Sequence, residues 1–457
     1  MSKQQVDEYR SVFSSRYGTD VMRKLWSDRW TRCQWRRLWL EILQEQYNQD
    51  AVALNDAQRA AIAVALEGAH NYDDIDWLAA GIEEAETHHD LVAELNVYSR
   101  SFETPLPLHL GCTSSDIEDM ADQLRLGLAS DFLRDQLDEC VAVLAGFVRE
   151  QAAMVCLGRT HLRPAEPTTL GYRFAVDLHE LLQATVSFVA TSHEDVDRGV
   201  AGAVGTRSNL ALLGIKEGWL FGNEAPVGQT GGRFWELALS QGLARIAAIL
   251  YRSAFNFRLL QSEGLLFEGK AGGQVGSSAM PGKSNPITAE RVCSLARTIP
   301  DYARQVWEYS AHSLLERTLD DSAARRIVLP ELFLSMSQII ADYVSLIKGV
   351  KVGTAFLEAE VWQYWKAWVP AKALVVLTQR GMSREDAYGL VGRSLGEHDI
   401  LGPYLKAVFG TQVPRPDGWK PWMLEDVSWL GLEWAIQSAK DTADRADRCV
   451  ESDMGQP

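Results

Sequence analysis

The chain has 457 residues, enough for two or three domains with large cores. Its 61 acidic residues exceed 45 lysines and arginines, and the formal charge of −16 argues against nucleic acid or a membrane surface as partner, so any anionic ligand must be held by a local basic cluster. The first twenty residues are polar and no apolar run approaches membrane-spanning length, which predicts neither a signal peptide nor a transmembrane helix and makes the cytoplasm the expected location.

Near the start, Ser-Arg-Tyr-Gly carries Arg16 and Tyr17. Residues 20–105 then show short helical patterns broken by Gly and Pro, with His88-His89-Asp90-Leu91 on a predicted helical stretch where spacing does not choose between the two histidines. At 111–119 the run is Gly-Cys-Thr-Ser-Ser-Asp-Ile-Glu-Asp, in which Ser115 and Glu118 have capping-box spacing. A helix N-terminus with the Thr113 and Ser114 hydroxyls beside it suits a carboxylate. From 119 to 150, Leu124, Leu128, Phe132, Leu137, Val141, Leu144 and Val148 form an apolar stripe several turns long, the mark of a bundle helix. His161, beside Thr160 in the run 158–171, falls on a predicted irregular segment between helices, where a histidine is less easily explained as core.

Helical patterns follow at 168–197, 232–262, 286–312 and 323–349, and Pro300 and Pro330 are expected to kink the last two. The middle of the chain therefore reads as a bundle of long helices. Between two of them lies Gly-Gly-Gln-Val-Gly-Ser-Ser-Ala-Met-Pro-Gly-Lys-Ser-Asn-Pro at 272–286, where Gly272, Gly273 and Gly276 allow the backbone to fold over a ligand. At 316–326, Ser322 and Arg326 are four apart and share a face of a helix expected to begin near 321, with Arg317 just upstream. A hydroxyl, two guanidiniums and a helix N-terminus make a phosphate cradle. Residues 353–450 return to shorter helical patterns, with a loop marked by Gly410, Pro414, Pro416, Gly418 and Pro421. Cysteines 33, 112, 140, 156, 293 and 449 have no metal or redox spacing, so reduced, mostly buried thiols are expected.

The loop resembles the G-S-S-x-M-P-x-K-x-N signature of the fumarase/aspartase superfamily, whose members break C–N or C–O bonds by β-elimination and mostly release fumarate. Residues 160–171 are similar to the T-H-x-x-P-A-x-P-T-T-x-G segment of the adenylosuccinate lyases, and the runs around Arg16, His89 and Ser322 resemble the same family; the likeness extends from about residue 9 to about residue 350. The resemblance implies an all-α fold in three domains, 1–110, 111–352 and 353–457. It implies a homotetramer with active sites shared between subunits, a succinylated nucleotide substrate, and no metal or organic cofactor. Ser277 would be the base and His161 the acid that protonates the departing nitrogen, with His89 and Lys283 beside them. Loop N–H groups and Lys283 are suited to stabilising the alkoxide that a serine base requires. Arg16, Tyr17, Arg317, Ser322 and Arg326 would hold the phosphate. Asp90, Thr113, Ser114, Thr160, Arg207, Ser278, Met280 and Asn285 would complete the substrate contacts.

Four positions depart from the family pattern: Met120, Arg163, Arg207 and Ser284. Arg163 and Arg207 stand where glutamines are usual, adding charge and length near the substrate. Three readings follow: cleavage of adenylosuccinate and of the succinylated aminoimidazole carboxamide ribotide, release of fumarate from another succinylated amine, or a non-catalytic helical protein. The retained Ser277, Lys283, His161 and His89 count against the third.

Overall fold

The computed structural model describes residues 9–68, 75–192, 198–222, 225–269, 280, 283–396 and 431–451. The expected loop at 410–421, the three glycines 272, 273 and 276, and Ser277 and Ser278 lie outside these residues. The fold is all-α in character, with long helices predominating and, among the described residues, two short antiparallel strand pairs, and the chain forms two compact units.

The first unit comprises Met1–Gln136, Thr185–Ala248 and Leu295–Ile339. Its first helices are α1 (Asp20–Leu25), α2 (Asp28–Asn48), α3 (Asp56–Gly68), α4 (Trp77–Thr87) and α5 (Asp90–Arg100). Thr19 and Ser27 cap α1 and α2 by accepting from the Met22 and Trp30 backbone N–H groups, and each satisfies a donor that the helix cannot. Trp39, Leu40, Ile42 and Leu43 of α2 form a buried core with Leu91 and Tyr98 of α5 and with Ile117 and Ala121 at the start of α6 (Ser114–Glu150). Burial of each such large side chain contributes roughly 1.5–3 kcal/mol before the entropy of ordering is subtracted.

The helix expected across 286–312 is two helices, α10 (Ile287–Ala296) and α11 (Ile299–Ala311). Pro300 occupies the first turn of α11, so its missing N–H costs nothing there; it marks a helix start rather than a kink. Pro330 does lie inside a helix, α12 (Asp320–Gly349). By length and composition α12 passes for a membrane span, which the sequence reading did not anticipate, but 72% of its most apolar window is buried within the protein, as in a core helix.

The second unit comprises Leu137–Ala184, Ile249–Ser294 and Ile340–Pro457. The segment expected to be irregular around His161 is a β-hairpin: β1 (Val155–Thr160) pairs antiparallel with β2 (Arg163–Thr169), which leads into α7 (Leu170–Ser192). Val155 and Leu157 pack with Val361 of α13 (Thr354–Gln363) and with Trp368 and Val369 of α14 (Trp365–Gln379). Register shifts between Leu157 and Arg159, and at the intervening Gly158 an added Cβ would sit 2.5 Å from the Glu166 carbonyl oxygen. Only glycine fits that bulge. Two prolines in β2 and the bulge hide the alternation that normally announces a strand. Further on, α15 (Arg384–Gly396) packs Ala387 and Val391 against Ala373 and Leu377 of α14, and α16 (Glu433–Glu451) closes the described part of the unit. Cys140, Cys156 and Cys293 are buried here and Cys33 in the first unit, while Cys112 and Cys449 are partly exposed; none of the six is in a disulfide.

Candidate active site

In the first unit a cavity of ≈ 370 Å³ opens where α2, α5, α6 and α12 meet. Asp90, Arg317, Ser322 and Arg326 all line it, so residues far apart in sequence reach one place. Arg326 Nη1 donates to Asp90 Oδ2 at 2.7 Å, and its Nη2 lies 3.6 Å from Glu118 Oε1. Burial opposes the Asp90 charge, but the hydrogen bond and charge of Arg326 outweigh it and hold the carboxyl below its ordinary range. Ser322 lies in the first turn of α12, and Arg317 precedes that helix on a turn closed by its own N–H to the Leu314 carbonyl.

His88 and His89 are separated by geometry rather than by spacing. His88 ends α4 in a left-handed conformation (φ +53°), and His89 is the extended residue that starts α5. His89 Nε2 lies 3.3 Å from the Ser114 hydroxyl, and its Nδ1 lies 3.5 Å from Asp90 Oδ1. Ser114, His89, Asp90 and Arg326 thus form a continuous polar chain. The helix α6 begins two residues earlier than the Ser115–Glu118 spacing predicts: Thr113 precedes it, and the Thr113 N–H donates to Asp116 Oδ2 at 2.8 Å. Asp116 therefore does the reaching back, and Glu118 is left to face the cavity.

Part of the cavity wall belongs to a buried charge network that motif reading missed. Asp119 accepts from Arg233 at 2.8 Å and from the Gly231 N–H at 2.7 Å, and Arg198 approaches it at 3.3 Å. Arg325 binds Glu236 at 2.7 Å and Asp122 at 3.1 Å, and Tyr309 donates to Glu236 at 2.8 Å. Burial works against the Asp119 charge, but Arg233, Arg325 and Arg198 together hold its carboxyl below the ordinary range. Arg325 and Asp321, bound to Arg233, flank Ser322 and Arg326 in sequence and fix the turn of α12 that carries them. A signal was present: Asp116, Asp119, Asp122 and Arg125 recur every three residues at the start of the helix.

The N-terminal pair is placed differently. Arg16 is exposed and neither it nor Tyr17 lines the cavity; Arg23 holds the Tyr17 and Gly18 carbonyls at 2.9 and 2.7 Å. Arg207 also stays out of the cavity lining: left-handed (φ +55°), it donates to the Arg198, Phe221 and Ala225 carbonyls and lies over the Phe221 ring. Its guanidinium is a brace for its own loop.

In the second unit, Thr160 ends β1, and His161 and Leu162 form the two-residue turn, both left-handed (φ +54° and +60°). Two such angles define a type I′ turn, for which Asn-Gly is the low-energy choice; a His-Leu pair is held there at a cost. The imidazole is exposed and makes no hydrogen bond to another described residue. Arg163, likewise exposed, begins β2. The downstream end of the glycine-rich loop is anchored: the Glu268 carboxylate accepts the Thr288 and Ala289 N–H groups at the start of α10, and Gln261 binds the Ser284 carbonyl at 3.2 Å. Lys283 and Met280 are exposed, and the Lys283 N–H closes a turn on the Met280 carbonyl at 3.0 Å; the Asn285 carbonyl accepts the Ile287 N–H at 3.0 Å. No group of three or more His, Cys, Asp or Glu among the described residues is arranged to hold a metal ion.

A family model described as lyase matches residues 2–300. The adenylosuccinate lyase of Synechocystis sp. is 30% identical over 385 residues, covering 82% of this chain and 86% of that one. The chain belongs to the adenylosuccinate lyase family. A second member of the family, the adenylosuccinate lyase of Schistosoma mansoni, is 29% identical over 396 residues, with 82% of this chain and 80% of that one covered. The fold is also that of the 3-carboxy-cis,cis-muconate lactonizing enzyme from Pseudomonas putida (TM-score 0.76, 20% identity, 96% of this chain and 99% of that one). Within the adenylosuccinate lyase family, the polar chain from Ser114 to Arg326 is the part of the candidate site that this structure describes most fully.

Proposed function

We propose that the chain cleaves adenylosuccinate to AMP and fumarate, and the succinylated aminoimidazole carboxamide ribotide in the same way, by β-elimination. The observation that supports this reading most is the convergence of Asp90, Arg317, Ser322 and Arg326 on one cavity, with His89 and Ser114 in contact beside it. A phosphomonoester is the ligand for which two guanidiniums and a helix N-terminus are suited. In this proposal Ser277 removes the proton beside the carboxylate, and the loop N–H groups with Lys283 stabilise the charge that develops. His161 donates to the departing nitrogen. Its position on a braced hairpin tip suits a group that must be aimed from a rigid support.

The proposal includes a homotetramer with shared sites, the three-part division at 1–110, 111–352 and 353–457, and a cytoplasmic location. Support for self-association comes from apolar side chains left exposed at helical spacing, Leu124 and Leu128 on α6 and Phe255 and Leu259 on α9 (Phe234–Ser262). Release of fumarate from adenylosuccinate by purified protein tests the reaction, and no release would overturn it. Mixing His161→Gln with Ser277→Ala tests the shared sites: under subunit exchange some sites receive only intact residues, and activity returns. A monomer in light scattering would refute the assembly.

A further inference from the structure

Glu118 lies on the second turn of α6, faces the cavity, and has no part in the capping role its spacing suggested. The groups around it are unusual for an anion site. Asp90 comes from α5, Arg326 from α12, and Asp119 and Asp122 from its own helix. The cavity as a whole is lined by seven carboxylates and six guanidiniums, so its positive charge is already matched before any ligand arrives. Arg326, the guanidinium nearest Glu118, is shared between that carboxylate and Asp90. A phosphate dianion placed on Arg326 would meet two carboxylates within a few ångströms. Like charges at about that distance disfavour one another strongly in a partly buried site. Neutralising one of these negative charges lowers the cost of accepting the dianion.

We propose that Glu118 is a specificity residue at the phosphate end of the site, taking a proton from solvent as a phosphomonoester binds to Arg326. This rests on the reading that the cavity holds the nucleotide phosphate. Asp90 is excluded from the role because Arg326 and the Leu91 N–H hold it ionised, at 2.7 and 2.8 Å. Asp119 and Asp122 are excluded because Arg233 and Arg325 bind them in the buried network. Among the described residues Glu118 makes only the looser 3.6 Å ion-pair contact with Arg326. Burial, and next the neighbouring Asp90 charge, push its carboxyl up to about 7, where a small change in surroundings moves a proton.

Protonated Glu118 gives up an acceptor and gains an O–H donor, which a phosphate oxygen can accept. The site then selects for a phosphomonoester over an unphosphorylated nucleoside by proton uptake as well as by the arginines. Ligand binding favours the protonated carboxyl, so affinity should fall as pH rises through about 7 and beyond.

The test uses full-length protein with AMP and with adenosine as probes, between pH 7 and 8.5, where a phosphomonoester with a second pKa of about 6 is already largely dianionic. Calorimetry in buffers of different ionisation heat should show wild type taking up a fraction of a proton, up to about one, beyond the Glu118→Gln variant. AMP affinity should fall roughly three- to tenfold across that range in wild type and stay nearly flat in the variant. Adenosine should show neither effect. No excess uptake by wild type, the same slope in Glu118→Gln, or the same slope with adenosine would each overturn the proposal. Failure of AMP to bind wild type at all would instead overturn the phosphate reading beneath it.

Discussion

The two units carry their site residues in opposite ways. In the first, Asp90, Ser114 and Arg326 belong with His89 to a chain of polar contacts that rests on the buried network of Asp119, Arg233, Glu236 and Arg325. In the second, His161 and Lys283 are exposed on a hairpin tip and at a loop end, and only their backbones are fixed. One region is built to bind a charged ligand against preorganised partners. The other leaves its candidate side chains exposed, with no described partner to orient them. Damage to the first should therefore show in stability and affinity, and damage to the second in turnover alone.

The largest effect expected is on turnover. In the proposed mechanism His161→Gln and Ser277→Ala each remove a proton-transfer partner, which typically contributes on the order of a hundredfold to ten-thousandfold. Because His161 makes no hydrogen bond to another described residue, His161→Gln should leave the denaturant midpoint unchanged while fumarate release falls by that factor. Near-normal turnover would remove His161 from the mechanism.

Next is the stability of the buried network. Asp119→Ala leaves Arg233 and Arg198 without a shared carboxylate in the interior, and loss of one partner of a buried pair costs about 3–5 kcal/mol. Asp119 is held below its ordinary pKa, so it stabilises the fold above the unfolded carboxyl value and that stability is lost as pH falls through the lower native one. Urea midpoints of wild type and Asp119→Ala should therefore differ at neutral pH and converge in acid. A constant difference would place the stabilisation in packing instead of charge.

What the sequence disclosed divides along the same line. The long helices were legible because an apolar stripe repeats over many turns, and Ser322 with Arg326 because i, i+4 spacing fixes a shared face. Pairing across the fold was not legible. Nothing local told His88 from His89, since what separates them is a left-handed residue ending one helix and a contact with Ser114, 25 residues on. The hairpin was missed because a bulge at Gly158 and two prolines break its alternation. Glu118 was assigned to a cap because its spacing from Ser115 fitted; only the fold shows that Asp116 makes the reciprocal bond.

Affinity for the phosphate comes third in size. Loss of a charge-assisted contact costs roughly 1.5–3 kcal/mol, about a ten- to a hundredfold rise in Kd. Arg326 must share itself with Asp90, whereas the Arg317 side chain makes no hydrogen bond or ion pair to another described residue. Arg317→Ala should therefore weaken AMP binding more than Arg326→Ala, and both should affect adenosine much less. The reverse order would mean that the ligand displaces Asp90 from Arg326.

The smallest effect on catalysis is expected from Arg163 and Arg207, although both depart from the family pattern. Arg207 donates to three backbone carbonyls, Arg198, Phe221 and Ala225, so its charge is spent on holding its own loop. Glutamine is shorter and cannot span three acceptors, so Arg207→Gln should lower stability by about 1–3 kcal/mol. Arg163 is exposed at the start of β2, where a single charge is worth less than about 1 kcal/mol. The double variant Arg163→Gln/Arg207→Gln should thus unfold at lower urea while its kcat/KM on adenylosuccinate stays within about fivefold of wild type, the equivalent of that energy. Measuring both quantities on one preparation separates the loop brace from a role at the substrate. A large gain in adenylosuccinate cleavage by the double variant would mean that the guanidiniums serve a different succinylated amine. A large loss with an unchanged midpoint would mean that one of them reaches the substrate in the assembled enzyme.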